Sequence, residues 1–274
     1  DSKSGYFKKK NLLRDHQIFM LDNFNFKPSY APKKLRYDTY SKQILKKFLI
    51  LLDNFTTKKK FIIEKKYKYL NNKVSESFKI IDKKSISKNL YLQGNYENYE
   101  YFKNYRSDLI NIFKPKNPID MNSDPIIKKL VEENSVSIHI RRNRFSDQSK
   151  YSNNADTMRS NDFTNRIIDY VNRSVDYFSN KVDNPSYFIW SNDFNNFDDI
   201  LKKLNITKYN LVNTNNTILD FNLFKFSKHF IVGPSSYHWW GAWLNENKNK
   251  ICVRPKDLNP SNNKNFWPPD WIPI

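Results

Sequence analysis

The segment Ser135-Val136-Ser137-Ile138-His139-Ile140, followed at once by Arg141-Arg142-Asn143-Arg144, decides the fold class of this 274-residue chain. The first six residues include three β-branched apolar residues, as short buried strands do, and three arginines then occur within four positions. An abrupt change from apolar residues to clustered charge is typical of a buried strand that ends at the edge of a sheet. We therefore predict a strand over 135–140 with a group of arginines at its carboxyl end.

The residues that follow alternate between strand and helix signals. We predict strands at 186–190, 209–212, 230–232 and 251–253 and helices at 162–178, 194–204, 219–227 and 237–246. A further helix is predicted from Pro125 through Glu133, with Asp124 as its N-cap. Five strands with a helix in each gap indicate a parallel α/β sheet, whose ligands bind at the carboxyl ends of the strands.

The preceding half of the chain has weaker signals. We predict a helix at 41–52, a β-type run at 90–92 and a helix at 99–113, while Pro115-Lys116-Asn117-Pro118 indicates a boundary. The predicted domains are therefore 1–117 and 118–274.

The charge of the chain has two open interpretations. Lys and Arg number 47 against 28 Asp and Glu, giving a net charge of +19 and a pI near 9.7. A polyanion such as nucleic acid, or an anionic membrane surface, is one partner that this charge suits. A lysine-rich solvated surface is the other interpretation, and it is favoured because only ten of these residues are arginines and the lysine runs are scattered.

Composition excludes several classes of protein. Hydrophobic residues make up 38% of the chain, enough for a packed core, and the apolar run at 48–52 is far shorter than a membrane span. The single Cys252 excludes an intrachain disulfide, and no Cys/His spacing indicates a metal site. We expect a cytoplasmic protein, or a membrane-associated one if an anchor precedes Asp1.

Two further segments carry candidate binding residues. Ser235, Ser236 and Tyr237 follow Gly233-Pro234 at a strand-to-helix junction, where backbone N–H groups and hydroxyls can bind an anion or one serine can simply cap the helix. Asp193 follows a strand end and can bind a ribose or a base edge, or cap the next helix. The segment His238-Trp239-Trp240-Gly241-Ala242-Trp243 fits a packed core better than a sugar-stacking surface.

Together these segments resemble the α-1,2-fucosyltransferases of glycosyltransferase family 11 over roughly residues 86–274. The family's His-x-Arg-Arg motif is matched by His139, Arg141 and Arg142, and its Ser-Asp-Asp motif by 191–193. Its Ser-x-x-x-Trp-Trp-Gly-Ala-Trp-Leu block is matched by 235–244 with Asp220 upstream, and its closing Pro-x-Asp-Trp by 268–271. The tryptophan block is the specific part of this resemblance.

The resemblance implies a GT-B architecture, in which two Rossmann-like domains face a cleft. It also implies metal-independent, inverting transfer of fucose from GDP-fucose, with no other cofactor, to the 2-hydroxyl of a galactoside. By the resemblance, Arg141 and Arg142 hold the diphosphate and assist its departure, with His139 as a third catalytic residue. Asp193, Ser235, Ser236 and Tyr237 then bind the nucleotide.

The chain departs from the family pattern in two places. The Gly-Asp that follows Arg-Arg in the family is Asn143-Arg144 here, which exchanges an acid for a base. The family's Gly-Gly-x-Gly-Asn-Gln loop has no counterpart, so we expect an N-terminal domain without its first strand and weak or no activity for the chain as given. The alternatives are a GDP-sugar-binding module without catalysis and a basic nucleic-acid-binding protein.

Overall fold

The computed structural model describes residues 21–26, 32–37, 39–63, 86–93, 96–120, 125–146, 153–260 and 265–274. Eight strands lie in these ranges: β1 (Lys59–Ile63), β2 (Ile86–Gln93), β3 (Asn134–Ile140), β4 (Pro185–Ser191), β5 (Tyr209–Leu211), β6 (His229–Ile231), β7 (Cys252–Arg254) and β8 (Ile272–Pro273). The α-helices of the same ranges are α1 (Tyr40–Asp53), α2 (Arg106–Ile112), α3 (Pro125–Glu132), α4 (Asn154–Ser179), α5 (Asp198–Leu201), α6 (Thr217–Leu223) and α7 (Ser236–Leu244).

Six of the strands form one parallel sheet in the order β5-β4-β3-β6-β7-β8. The chain runs outward from β3 to β5 and then returns to the other side of β3 with β6. This is the strand order of a doubly wound Rossmann sheet, and its direction of winding reverses between β3 and β6. The predicted α/β class with a parallel sheet is confirmed.

The alternation within β3 determines which helix covers each face of the sheet. Val136, Ile138 and Ile140 are fully buried in the cluster that contains the apolar residues of α4. The intervening Ser137 lies on the opposite face, where its Oγ is 2.9 Å from Nε2 of His238 in α7. Small polar residues on this face of β3 thus allow α7 to approach the sheet closely.

The aromatic residues of α7 form the second core. Trp239 and Trp243 are buried and stack with their ring centroids 5.7 Å apart, and Phe102 packs edge-on against both. Arg106 donates to the backbone oxygens of Trp243 and Asn245. The core-packing interpretation of the tryptophan segment is therefore confirmed for these rings, and residues within 99–113 pack against α7.

Several predicted helix bounds were wrong. The helix predicted at 99–113 consists of two 3-10 turns, Tyr99–Tyr101 and Lys103–Tyr105, followed by α2. The helix predicted at 162–178 begins at 154, because Asn153 caps it by accepting from the Asp156 N–H. The helix predicted at 194–204 has only four residues, and its N-cap position is Phe197 rather than Asp193.

The remaining elements agree more closely. The helix at 41–52 is confirmed as α1, and the run at 90–92 lies within β2, which pairs in parallel with β1. Strands β1 and β8 were not predicted. The predicted cap Asp124 lies outside the described residues. Among the described helices, not one has both the length and the apolar character required to cross a bilayer.

Candidate nucleotide-sugar site

A cavity of about 730 Å³ opens at the carboxyl ends of β3, β4, β5 and β6. It therefore lies at the point where the direction of winding reverses, which is where open α/β sheets bind their ligands. Its volume is in the range of small-molecule sites. The lining residues are Glu97, His139, Arg141, Arg144, Phe145, Ser191, Asn192, Asn213, Asn215, Asn216, Thr217, Asp220, Ser235, Ser236, Tyr237 and Pro260.

The junction between β6 and α7 brings backbone N–H groups to this cavity. Ser235 occupies the N-cap position of α7, but its side chain makes no capping hydrogen bond. Ser235 and Ser236 both line the cavity. Since the first N–H groups of a helix have no partner within the helix, the start of α7 offers donors and a partial positive charge to an anion. Helix capping alone therefore does not explain why serines occupy positions 235 and 236.

Gly233 permits the tight packing of this junction. A Cβ at this position would lie 2.4 Å from the backbone oxygen of His139. The Gly233 N–H donates to Nδ1 of His238 at 3.3 Å. Burial, with His139 as a second cause, lowers the pKa of His238 well below its usual value. The neutral ring then carries its proton on Nε2 and donates to Ser137, so His238 ties the junction to β3.

The three arginines after β3 have different surroundings. Arg141 and Arg144 line the cavity. The Arg144 guanidinium donates to the backbone oxygens of Pro234 and Pro260 at 3.2 and 3.3 Å, and it lies over the ring of Phe163. Arg144 thus adds positive charge beside the loop that leads into α7.

Arg142 is absent from the cavity lining and lies instead against the turn after β4. Its guanidinium donates to the backbone oxygens of Asp193 and Asn195, and it lies 3.8 Å from the Asp193 carboxylate. Its backbone N–H donates to the side-chain oxygen of Asn192, whose amide donates back to the Arg142 oxygen. Arg142 and Asp193 therefore hold two loop segments together, and neither is a lining residue of the cavity.

Asn143 explains part of the departure from the family motif. Its φ is 53°, in the left-handed region that glycine adopts most easily and asparagine tolerates better than most residues. Its side chain donates to the Asp193 carboxylate at 2.6 Å. The asparagine thus keeps the backbone conformation that glycine would allow and adds a contact that glycine lacks.

His139 lies at the floor of the cavity and is uncharged. Burial first, and then Arg141, lower its pKa to about 3. Its Nδ1 is buried and has no hydrogen-bond partner. An imidazole with so low a pKa is a poor proton acceptor at neutral pH, so its available role is that of a neutral hydrogen-bonding group.

Two carboxylates line the cavity within the described residues, Glu97 and Asp220. Burial raises the pKa of Asp220, although hydrogen bonds from the Thr214 hydroxyl and N–H oppose the shift. Tyr237 donates its hydroxyl proton to the Thr217 oxygen. Burial, with Asp220 as the second cause, raises the pKa of this hydroxyl. No cluster of three or more His, Cys, Asp and Glu side chains suited to a metal occurs in the ranges that the structure describes.

Sequence reasoning missed the residues that β5 and β2 bring to the cavity. Asn213, Asn215 and Thr217 follow β5, a strand whose carboxyl end was predicted but not examined for ligands. The rule that led to Arg141 applies equally to every strand of the sheet, so this signal was present. Glu97 follows β2 and had no comparable signal.

Comparisons with known proteins add a family to this geometry. A sequence model described as "Glycosyl transferase family 11" matches residues 18–274. An alpha-1,2-colitosyltransferase of Escherichia coli is 24% identical over 244 residues, which cover 88% of this chain and 76% of that protein. The O-antigen biosynthesis glycosyltransferase WbnK of Escherichia coli is 42% identical over 55 residues, or 20% of this chain and 18% of that protein. No solved structure matches the chain at comparable significance.

Proposed function

We propose that this chain, which belongs to glycosyl transferase family 11, transfers fucose from GDP-fucose to the 2-hydroxyl of a galactoside. Membership of the family implies glycosyl transfer from a nucleotide sugar to a glycan acceptor. The observation that carries the choice of site is the cavity at the reversal of the Rossmann order, where Arg141, Arg144 and the start of α7 converge. Cations and helix N–H groups together suit a diphosphate.

In this proposal the diphosphate lies between Arg141 and the start of α7. Arg141 offers a planar fork of donors, and Ser235 and Ser236 add hydroxyls to the helix N–H groups. Arg142 and Asp193, first expected to touch the nucleotide, act as positioning residues through the turn after β4. Tyr237 lines the same wall of the cavity.

The transfer is a single inverting displacement that requires no metal ion. The oxygen of the acceptor hydroxyl forms a bond to the anomeric carbon while the bond from that carbon to the diphosphate oxygen breaks, and its electron pair leaves with GDP. Arg141 stabilises the charge that develops on the diphosphate. The hydroxyl proton passes to a carboxylate, for which Asp220 and Glu97 are the candidates because both line the cavity.

The second candidate donor carries colitose, because a relative that covers 88% of this chain is named for transfer of that sugar. Transfer to the 2-position is common to both candidates. The architecture we propose is GT-B, with an acceptor-side domain over 1–117 and a donor-side domain over 118–274.

The test combines binding and transfer. The purified chain is incubated with lactose and either GDP-fucose, GDP-colitose or GDP-mannose, and products are detected by mass spectrometry. We expect a rise in the thermal midpoint with GDP, since a ligand at 100 times its Kd adds about 2.7 kcal/mol, and only slow formation of fucosyl-lactose, in line with the weak activity expected for a chain without the family's glycine-rich loop. Stabilisation by GDP without transfer from any donor would indicate a binding module. The absence of both stabilisation and transfer would overturn the proposal.

The proton acceptor is identified by two isosteric variants. Asp220→Asn and Glu97→Gln each remove a carboxylate from the cavity wall while keeping its shape. We expect the variant at the true base to lose about 100-fold or more in kcat with unchanged stabilisation by GDP. The other variant serves as the matched control, and equal small losses from both would exclude each carboxylate as the base.

A further inference from the structure

The exposed face of α1 is apolar. Tyr40, Ile44, Phe48, Leu51 and Leu52 are exposed, and at 3.6 residues per turn they share an arc of roughly 120°. The side chain of Leu51 is 62% exposed and that of Phe48 is 56% exposed. Contiguous apolar surface of this kind usually marks an interaction site.

The other face of α1 is fixed to the small sheet formed by β1 and β2. The buried Asp53 accepts the backbone N–H groups of Lys60 and Phe61 at 2.9 and 3.1 Å. Lys46 donates to Gln93 at 2.7 Å. The helix is therefore held on this side by polar contacts, while the apolar residues of the exposed arc stay uncovered.

Basic residues predominate in α1 and in the segments next to it in the chain. In the described ranges 32–37 and 39–63, nine residues are basic, and Asp53 is the one acid. Lys33, Lys34, Lys47 and Lys58 are exposed. Phe55, in the turn after α1, is 88% exposed. An apolar strip beside exposed lysines is the composition of a helix that lies in the interface of an anionic bilayer.

We propose that α1 and the turn at Phe55 form a membrane-docking surface for an anionic bilayer. Phe48, Leu51 and Phe55 enter the acyl boundary while the surrounding lysines contact anionic headgroups. A second copy of this chain fits the surface less well, because two such faces would bring the exposed lysines of one copy toward those of the other. The proposal does not depend on the donor or acceptor of the transfer reaction.

The experiment is sedimentation of the purified full chain with vesicles of phosphatidylglycerol and phosphatidylcholine, or of phosphatidylcholine alone. We expect binding to the anionic vesicles, weakened by salt. Phe48→Ser and Leu51→Ser should each lower the partition coefficient about tenfold. Met158→Ser is the matched control, since Met158 is 72% exposed on α4, away from α1, and it should bind like the parent chain.

A labelled variant, in which an apolar fluorophore takes the place of the Leu51 side chain, tests insertion directly. An environment-sensitive fluorophore on Leu51→Cys should shift to the blue with anionic vesicles, and the native Cys252 is buried and does not compete for the label. No binding to anionic vesicles, or binding that Phe48→Ser and Leu51→Ser leave unchanged, would overturn the proposal. A concentration-dependent dimer in light scattering that both variants abolish, without vesicle binding, would assign the face to self-association instead.

Discussion

Arg141, Arg142 and Arg144 lie within four residues of one another, yet their side chains have different surroundings. Arg141 lines the cavity, and Arg142 binds the backbone of the turn after β4. Arg144 lines the cavity while it holds the oxygens of Pro234 and Pro260. Residue type and spacing predicted the cluster, but not which arginine faces the cavity, nor the left-handed backbone at Asn143 that lies between Arg142 and Arg144.

Substitution of Arg141 should therefore affect mainly ligand binding, and substitution of Arg142 mainly stability. We expect Arg141→Ala to weaken GDP binding about 10- to 100-fold with little change in stability, because it removes charged hydrogen bonds to the diphosphate. Arg142→Ala should lower the free energy of unfolding by about 1–3 kcal/mol, because it removes two bonds to backbone oxygens. Thermal unfolding with and without GDP measures both the stability and the stabilisation by GDP. A loss of stability in Arg141→Ala together with a loss of GDP binding in Arg142→Ala would contradict the geometry.

Asn143 tests the left-handed backbone directly. Asn143→Ala should destabilise the protein by about 1–2 kcal/mol, because a Cβ-bearing residue without a polar side chain adopts a positive φ at a cost. Asn143→Gly should be the milder change, since glycine regains the backbone freedom but loses the 2.6 Å contact with Asp193. Urea unfolding of the two variants checks the order, and an Ala variant as stable as the Gly variant would exclude backbone strain.

At the scale of elements, the junction of β6 and α7 combines the closest packing with the proposed phosphate contacts. Gly233 lies against the His139 backbone, and the ring of His238 joins the junction to Ser137. Gly241 allows a second close approach, because a Cβ there would lie 2.7 Å from the side chain of Phe224. The donors of α7 are thus positioned by close packing of the junction against β3 and of the helix against Phe224.

Gly233→Ala should disrupt this junction. The added Cβ meets a backbone oxygen at 2.4 Å, which cannot move without shifting β3, so we expect a loss of about 3 kcal/mol. Ser235→Ala is the control two residues later. It should change stability by less than about 0.5 kcal/mol, because the Ser235 side chain makes no capping bond. Denaturant unfolding measures both, and a stable Gly233→Ala variant would show that the junction is looser than the structure indicates.

Elements were predicted well where the sequence pattern and the packing agree. The strands β3 and β4 are long and buried on both faces, so their bounds fell within one residue of the prediction. The bounds of α4 were missed because a side-chain cap at Asn153, rather than apolar spacing, begins the helix. The two-residue β8 has no detectable period, and it exists because Val253 and Arg254 in β7 pair with it.

Across the molecule, the two kinds of basic residue occur in different places. The arginines of the cavity follow β3, whereas the basic residues around α1 are almost all lysines. Arginine suits bidentate contact with a diphosphate, and lysine provides compact charges that suit a lipid surface. Sequence analysis favoured a solvated surface because few of the basic residues are arginines and the lysine runs are scattered. The sequence of α1 does not indicate which of its faces is covered.

The stability of the whole molecule should depend on pH through its buried histidines. His139 and His238 are both neutral in the folded state, with the pKa of His139 lowered to about 3 and that of His238 also lowered, chiefly by burial. In the unfolded chain both bind protons below pH ~6.5, so acid favours unfolding. The free energy of unfolding should be unaffected by these groups above pH ~7 and fall by about 1.4 kcal/mol per histidine for each pH unit below pH ~6.

His139→Leu separates the contribution of one ring. The substitution removes a titrating group whose Nδ1 has no hydrogen-bond partner, and it roughly preserves side-chain size. Urea unfolding between pH 4 and pH 7 should show a shallower dependence for the variant, by about 1.4 kcal/mol per pH unit below pH ~6. The carboxylates contribute equally to both proteins and cancel in the comparison. Identical slopes would mean that His139 gains a proton in the folded state, and the neutral hydrogen-bonding role in the cavity would then have to be abandoned.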